Sequence, residues 1–445
     1  MALLWPASGF SREARFHADT LLYAGVLVLL LLRLAAAGAG VWPAMTGILL
    51  LAGALLGSKV RFWSRHSYAV NVHMALLALF LLLAAMLYPL QGYDARALWF
   101  HHGKIFFLFP GEAGLDYLRG IGHADYPKML AALSAHIAAF FGFWSDWAVK
   151  FSVFILILPP LLTALRLPLA YVLTALLFSL HATRLLTSGY MDALLALYAV
   201  VMACSWTEAV FRDENKPLPR KEAVTLAILS GAVLLNLKNE GLVLAGIFAL
   251  LALAHAVFAG KRGSRTRVAF SASDFALAAL AAAPFVYWKI LSFHFSLSND
   301  IFGNGQLPFL RQLSERLAHP AQSWLIFKKL VVPEMLPLAV FYALMYAWSS
   351  KLPEARRKSL FAFALAALYG AALFCVYLGT PCDLTWHLDT SADRVDKPCV
   401  ALLALAALYL LSAQLRAGGL LEKFHLAEPA TPPKPSASFT TLSQE

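Results

Sequence analysis

GYMDALLALYAVVMACSWTEAV, residues 189 to 210, decides how the chain is read. After Asp192 it runs without a charge to Glu208, long enough as a helix to cross about 30 Å of hydrocarbon. Asp192 opens that run, where a carboxylate complements the partial positive charge of a helix N-terminus. Gly189 and Tyr190 form a tight turn before it. A charge at the end of an apolar run reaches water and substrate without being buried in lipid, so this position reads equally as a helix-start device and as part of a site.

The same pattern recurs on both sides. Apolar runs lie near 20 to 37, 41 to 57, 68 to 89, 147 to 165, 168 to 186, 192 to 210, 223 to 237, 241 to 259, 273 to 291, 333 to 350, 359 to 379 and 398 to 414. That is about twelve spans. With 60% hydrophobic and 14% charged residues in 445, the composition lies far outside the soluble globular range. The fold class is an all-α polytopic membrane protein. Its net charge of +11 excludes a nucleic-acid partner as the economical reading, because the basic residues sit in short loops between apolar runs. The first run, from about Thr20, lacks a small-residue cleavage site and reads as a retained helix.

Loop charge sets the sidedness. Lys59, Arg61 and Arg65; Arg212, Lys216, Arg220 and Lys221; Lys261, Arg262, Arg265 and Arg267; and Lys351, Arg356, Arg357 and Lys358 all fall on one face, the cytoplasmic one. This parity holds if the apolar run 129 to 143 does not cross, which predicts an interfacial helix there. The opposite face receives a first loop at 90 to 128, turns at Gly189 and Lys238, and loops at 292 to 329 and 380 to 398. One transmembrane domain therefore occupies 1 to 425, and the Pro- and Ser-rich residues 426 to 445 read as a disordered cytoplasmic tail. No internal repeat of the kind common in secondary transporters is visible.

The polar clusters gather on the extracytoplasmic face. Asp94 follows the third run and is the first candidate for a general base or metal ligand, against a helix N-cap. Trp99 and Lys104 follow it, with Lys104 also able to snorkel. Asp125 and Tyr126 precede Pro127, where Asp125 reads as a cap or a site residue. Lys238 and Glu240 form either an ion-paired turn or part of a binding site, with Gly241 allowing close helix packing. Trp386, His387, Asp393 and Arg394 supply an aromatic platform, an imidazole and a permanent cation suited to phosphate oxygens. The alternative there is a weak Asp393 to Arg394 surface pair. Cys382 and Cys399 bracket this segment, so a disulfide competes with two free thiols. No Walker loop, zinc-ligand spacing or nucleophile elbow occurs in the chain.

Taken in order, YDARALW (93 to 99), DYPKMLAAL (125 to 133), GYMDALLALY (189 to 198), LKNEGL (237 to 242) and WHLDTSADR (386 to 394) resemble the GT-C superfamily. These are polytopic glycosyltransferases that use polyprenyl-phosphate sugars, among them protein O-mannosyltransferases and the lipid A aminoarabinose transferase. The resemblance implies a GT-C-like bundle in a bacterial cytoplasmic (inner) membrane with its site facing the periplasm. It implies Asp94 as catalytic base. Donor phosphate and sugar would meet Arg394, His387, Lys238, Glu240, Trp386, Asp393 and Lys104, while Asp125, Tyr126, Tyr190, Asp192 and Trp99 would shape the acceptor side. The acceptor would be an extracytoplasmic glycan, lipid or protein. Many relatives carry an acidic pair in the first loop where this chain has Tyr93 before Asp94 and His101 and His102 after it. A divalent metal therefore stays open, as do two other functions: a flippase of lipid-linked sugars, and an O-antigen-type polymerase or ligase.

Overall fold

A computed structural model describes residues 17–35, 68–90, 92–211, 219–261, 270–298 and 306–420. Among them the chain is helical throughout, without a sheet. Its axis is the run quoted above. Helix α9 (Met191–Val210) is buried at every residue, so it is enclosed by protein on all sides rather than facing lipid. Its neighbours are α10 (Arg220–Leu237) and α18 (Lys397–Ala417), with α16 (Pro353–Gly379) outside them.

Helices α1 (Ala18–Ala35), α2 (Tyr68–Leu87), α5 (Met129–Phe141) and α6 (Asp146–Thr163) form a second group, packed on α9 and α10 through α1 and α6. Outward-facing leucines such as Leu76, Leu79 and Leu83 on α2 are exposed, as a lipid-facing surface requires. The sequence between α2 and α5 holds a π-helical segment, Ala95–Phe100, that runs into α3 (His101–Leu108), followed by α4 (Glu112–Leu118).

Among the described residues seven helices are long and apolar enough to cross a membrane, or up to eight if one bent pair is counted as a span. The difference from twelve has physical causes. The run 168 to 186 breaks into α7 (Leu169–His181) and α8 (Thr183–Thr187), each too short to span. The bent pair consists of α14 (Pro320–Ile326), continued by a π-helical Phe327–Val331, and α15 (Met335–Trp348), with a bend of 69°. Glu334 sits in the break, accepting from Lys397 at 2.6 Å and facing His181 at 3.1 Å. The run 41 to 57 and the tail 426 to 445 lie outside the described residues.

Two expected loops are helical. Within 292 to 329 the chain forms α13 (Gln306–Leu317) and α14, and within 380 to 398 it forms the amphipathic α17 (Leu384–Val395). The helix expected at the interface is α5, whose 13 residues span about 20 Å. Every residue from Met129 to Ala138 is buried, against α3, α6 and α1, so it is too short to cross and is covered by protein over most of its length. Cys382 and Cys399 are free thiols, Cys399 being buried in α18 with its Sγ toward the Ala366 carbonyl.

Helix α9 carries one acidic residue near each end, Asp192 and Glu208, about 24 Å apart along its axis. Glu208 accepts from Lys358 of α16 at 2.6 Å. The end that holds Asp192 is the end of the turns at 188 to 190 and 238 to 240 and of α17. In a background without native cysteines, single cysteines at Lys104 and Thr385 should react with an impermeant maleimide from one side of the membrane, and those at Pro219 and Lys351 from the other. All four positions are exposed. Labelling of Thr385 and Pro219 from the same side would break this arrangement.

Candidate functional site

Helix α10 ends at Leu237, and Lys238 is fully extended (φ −159°, ψ 158°) before α11 (Asn239–Lys261) begins. The reversal is tight because Gly241 has no side chain: a Cβ there would run into the Leu234 carbonyl oxygen. The extended residue directs the Lys238 ammonium onto the N-terminal turn of α9, where its Nζ donates to Asp192 Oδ1 at 2.9 Å and lies 3.1 Å from Glu240 Oε1. Burial opposes the charge on Lys238, but Asp192 and Glu240 outweigh it and hold its pKa well above the usual lysine value.

Arg394 arrives from the last turn of α17. Its Nη1 donates to Asp94 Oδ2 and lies 3.3 Å from Asp192 Oδ2, and its Nε points to the Thr390 carbonyl at 3.3 Å. The guanidinium sits over the Tyr190 ring, 5.0 Å from its centroid. Gly189, at φ +87°, sets the turn that brings Tyr190 and Asp192 here, and a Cβ on it would press into Ala95 beside Asp94. Asp94 does not cap a helix: its carboxylate is turned to Arg394, 300 residues away in sequence. One connected group therefore unites Asp94, Asp192, Lys238, Glu240 and Arg394 from the first loop, α9, the α10–α11 turn and α17.

A second group adjoins it through Asn239. Asp125 Oδ2 accepts from Asn239 Nδ2 at 2.9 Å and faces Lys289 Nζ at 3.4 Å, while the Asp125 carbonyl accepts from Trp288 Nε1 at 2.9 Å. Lys289 and Trp288 belong to α12 (Ala272–His294). Asp125 is thus a cross-chain anchor and not a cap for α5, whose N-cap position is Lys128 with no side-chain cap bond. Tyr126 stacks on the fully buried Trp99 at 6.0 Å. Lys128 is fully buried too. Its Nζ lies 2.9 Å from His102 Nδ1 and 5.0 Å from the centroid of Trp288, and burial drives its pKa well below the usual value.

The remaining expected residues do not join the charge cluster. Lys104, Trp386 and Asp393 are exposed. His387 binds Thr380 Oγ1 at 2.9 Å and packs on Tyr377, whose hydroxyl pairs with Ser391 at 2.7 Å. Arg316 of α13 ties this corner down by donating to the carbonyls of Tyr377 and Cys382 at 2.8 and 3.0 Å. Lys289, Trp288, Asn239, Lys128, His102 and Arg316 were not among the expected site residues. Asn239 stands inside the quoted LKNEGL turn, whereas Trp288-Lys289 lies at the end of an apolar run and gives no signal beyond an interfacial aromatic and a snorkelling cation.

Three carboxylates in the first group face two cations. Asp94 Oδ1 and Glu240 Oε2 have no donor among the described residues, and of the two Glu240 Oε2 is buried. No set of three or more His, Cys, Asp and Glu side chains among the described residues gathers as a metal cage. The Nη2 of Arg394 has no acceptor among the described residues, which leaves a guanidinium edge where an oxyanion could bind.

Two measurements follow. Asp192→Asn removes the counterion shared by Lys238 and Arg394, and breaking such a buried pair costs about 3 to 5 kcal/mol. The thermal midpoint in detergent should fall clearly, and adding Lys238→Met should restore part of it. Equal losses in single and double variants would contradict the pairing. For Lys128 the folded-state pKa is depressed, so between it and the ordinary lysine value the unfolded chain binds the extra proton and stability rises with pH. Lys128→Met should flatten that rise in the midpoint above neutral pH; an unchanged slope would contradict it.

Compared with protein-family models, with curated proteins and with solved structures, the chain matches none of them.

Proposed function

We propose that this protein is an inverting glycosyltransferase that moves a sugar from a polyprenyl-phosphate carrier to an acceptor hydroxyl at the extracytoplasmic face of a bacterial cytoplasmic membrane. The observation that carries the reading is the single buried group in which Asp94, Asp192 and Glu240 surround Arg394 and Lys238 at one end of a helical, lipid-facing bundle. It places a carboxylate beside the two cations a departing lipid phosphate needs. The GT-C resemblance supports the same assignment.

In this reaction Asp94 takes the proton of the acceptor hydroxyl as the acceptor oxygen bonds to the anomeric carbon. The bond from that carbon to the phosphate oxygen breaks, and its electron pair leaves with the polyprenyl phosphate. Arg394 and Lys238 stabilise that added charge. Asp192 keeps both cations in place and charged. Base and leaving group on opposite faces of the sugar invert the anomeric centre. Lipid supplies the environment for the isoprenoid, and the acceptor is an extracytoplasmic glycan, lipid or protein.

The bent pair around Glu334 favours a second reading, a flippase of lipid-linked sugars, because interrupted helices are common in transporters. Purified protein given a defined polyprenyl-phosphate sugar and a panel of acceptors separates the two. Release of carrier phosphate should require acceptor, vanish in Asp94→Asn, and weaken in apparent affinity in Arg394→Ala through loss of charge-assisted bonds worth about 1.5 to 3 kcal/mol each. Normal turnover by Asp94→Asn would remove the catalytic assignment. Movement of intact donor across a vesicle membrane, with no covalent product, would favour the flippase.

A further inference from the structure

The Asp94 to Arg394 contact leaves one atom open on each partner. Nη1 of Arg394 serves both Asp94 and Asp192 and its Nε is directed at Thr390, but Nη2 has no acceptor among the described residues and is not sealed from solvent. Asp94 likewise uses Oδ2 alone; Oδ1 has no donor and is not sealed. Asp192 differs. Both of its oxygens are engaged, by Lys238 and Arg394, and it stands on the wholly buried α9.

The backbone around the two carboxylates differs in the same sense. Asp94 immediately precedes the π-helical Ala95–Phe100, a geometry whose shifted hydrogen bonds are less regular and frequent at functional sites. Asp192 lies in the first turn of a regular 20-residue helix. The Tyr190 ring lies under the guanidinium, a contact that does not depend on which oxyanion the guanidinium binds. Charge balance points the same way. With three carboxylates already facing two cations, an incoming phosphate adds negative charge, and of the two carboxylates on Arg394 the one engaged through a single oxygen is the one to yield.

Resting on the glycosyltransferase reading above, we propose that the Asp94–Arg394 bridge is a latch that masks the base until a lipid phosphate enters at the open Nη2 edge of Arg394, displaces Asp94 and frees its carboxylate for the acceptor hydroxyl. No covalent bond changes in this step. The guanidinium exchanges one oxyanion for another while Asp192 stays bound. The base is thereby exposed only when donor is present, so a water or acceptor arriving first meets a carboxylate already engaged by Arg394.

The test is carboxylate footprinting of the full chain in detergent, with a water-soluble carbodiimide and an amine nucleophile read out by peptide mass spectrometry. Polyprenyl phosphate should raise labelling of Asp94 several-fold and leave Asp192 unchanged, while neutral polyprenol should do neither. Inorganic phosphate in place of the lipid shows whether the headgroup alone opens the latch. Asp94→Asn, checked for a monodisperse gel-filtration peak, should bind polyprenyl phosphate several-fold more tightly than wild type, because a competitor for Arg394 is gone. Wild-type binding with Asp94 labelling unchanged or reduced overturns the latch and leaves the transferase reading standing, whatever the variant does. Failure of the monodisperse wild type to bind polyprenyl phosphate overturns both.

Discussion

Asp192 is the charge on which the arrangement of this end of the bundle depends. Its two oxygens hold one cation from the α10–α11 turn and one from α17. In a buried setting an ammonium or guanidinium without a counterion is costly, so the carboxylate fixes where both can sit. The helix that carries it is fully enclosed, and its N-terminal dipole favours negative charge at this turn. The glycines at 189 and 241 serve the same end by letting the backbones close around it.

The two ends of α9 show how context separates structure from chemistry. Glu208 meets Lys358, which also faces Glu354 of the same helix, and joins α9 to α16. The pair is compact and surrounded by packing residues. At the other end, charges from four segments converge, with the Tyr190 ring beside them.

Much of this was legible in the sequence because a lipid-facing chain confines its charges to the ends of apolar runs. Asp94, Asp192, Lys238, Glu240 and Arg394 all stand at such ends, and loop charge placed them on one side. Their partners were not legible. A bond between residues 94 and 394 leaves no local periodicity, so Asp94 read as a base or cap, and Arg394 as a phosphate ligand or the partner of Asp393. Asp125 read as a cap for the same reason, since Lys289 and Asn239 are remote in sequence. An apolar average also hides the break that separates α7 from α8 within the run 168 to 186.

The central claim is that Arg394 and Lys238, held by Asp192, bind the phosphate of a polyprenyl carrier. Native mass spectrometry of the protein released from mild detergent, with polyprenyl phosphate and neutral polyprenol offered together, tests it most directly. The account predicts a one-to-one adduct with the phosphate lipid alone, lost in an Arg394→Gln, Lys238→Met double variant that keeps its fold. Equal retention of polyprenol and polyprenyl phosphate, or an adduct that survives in the double variant, would contradict it.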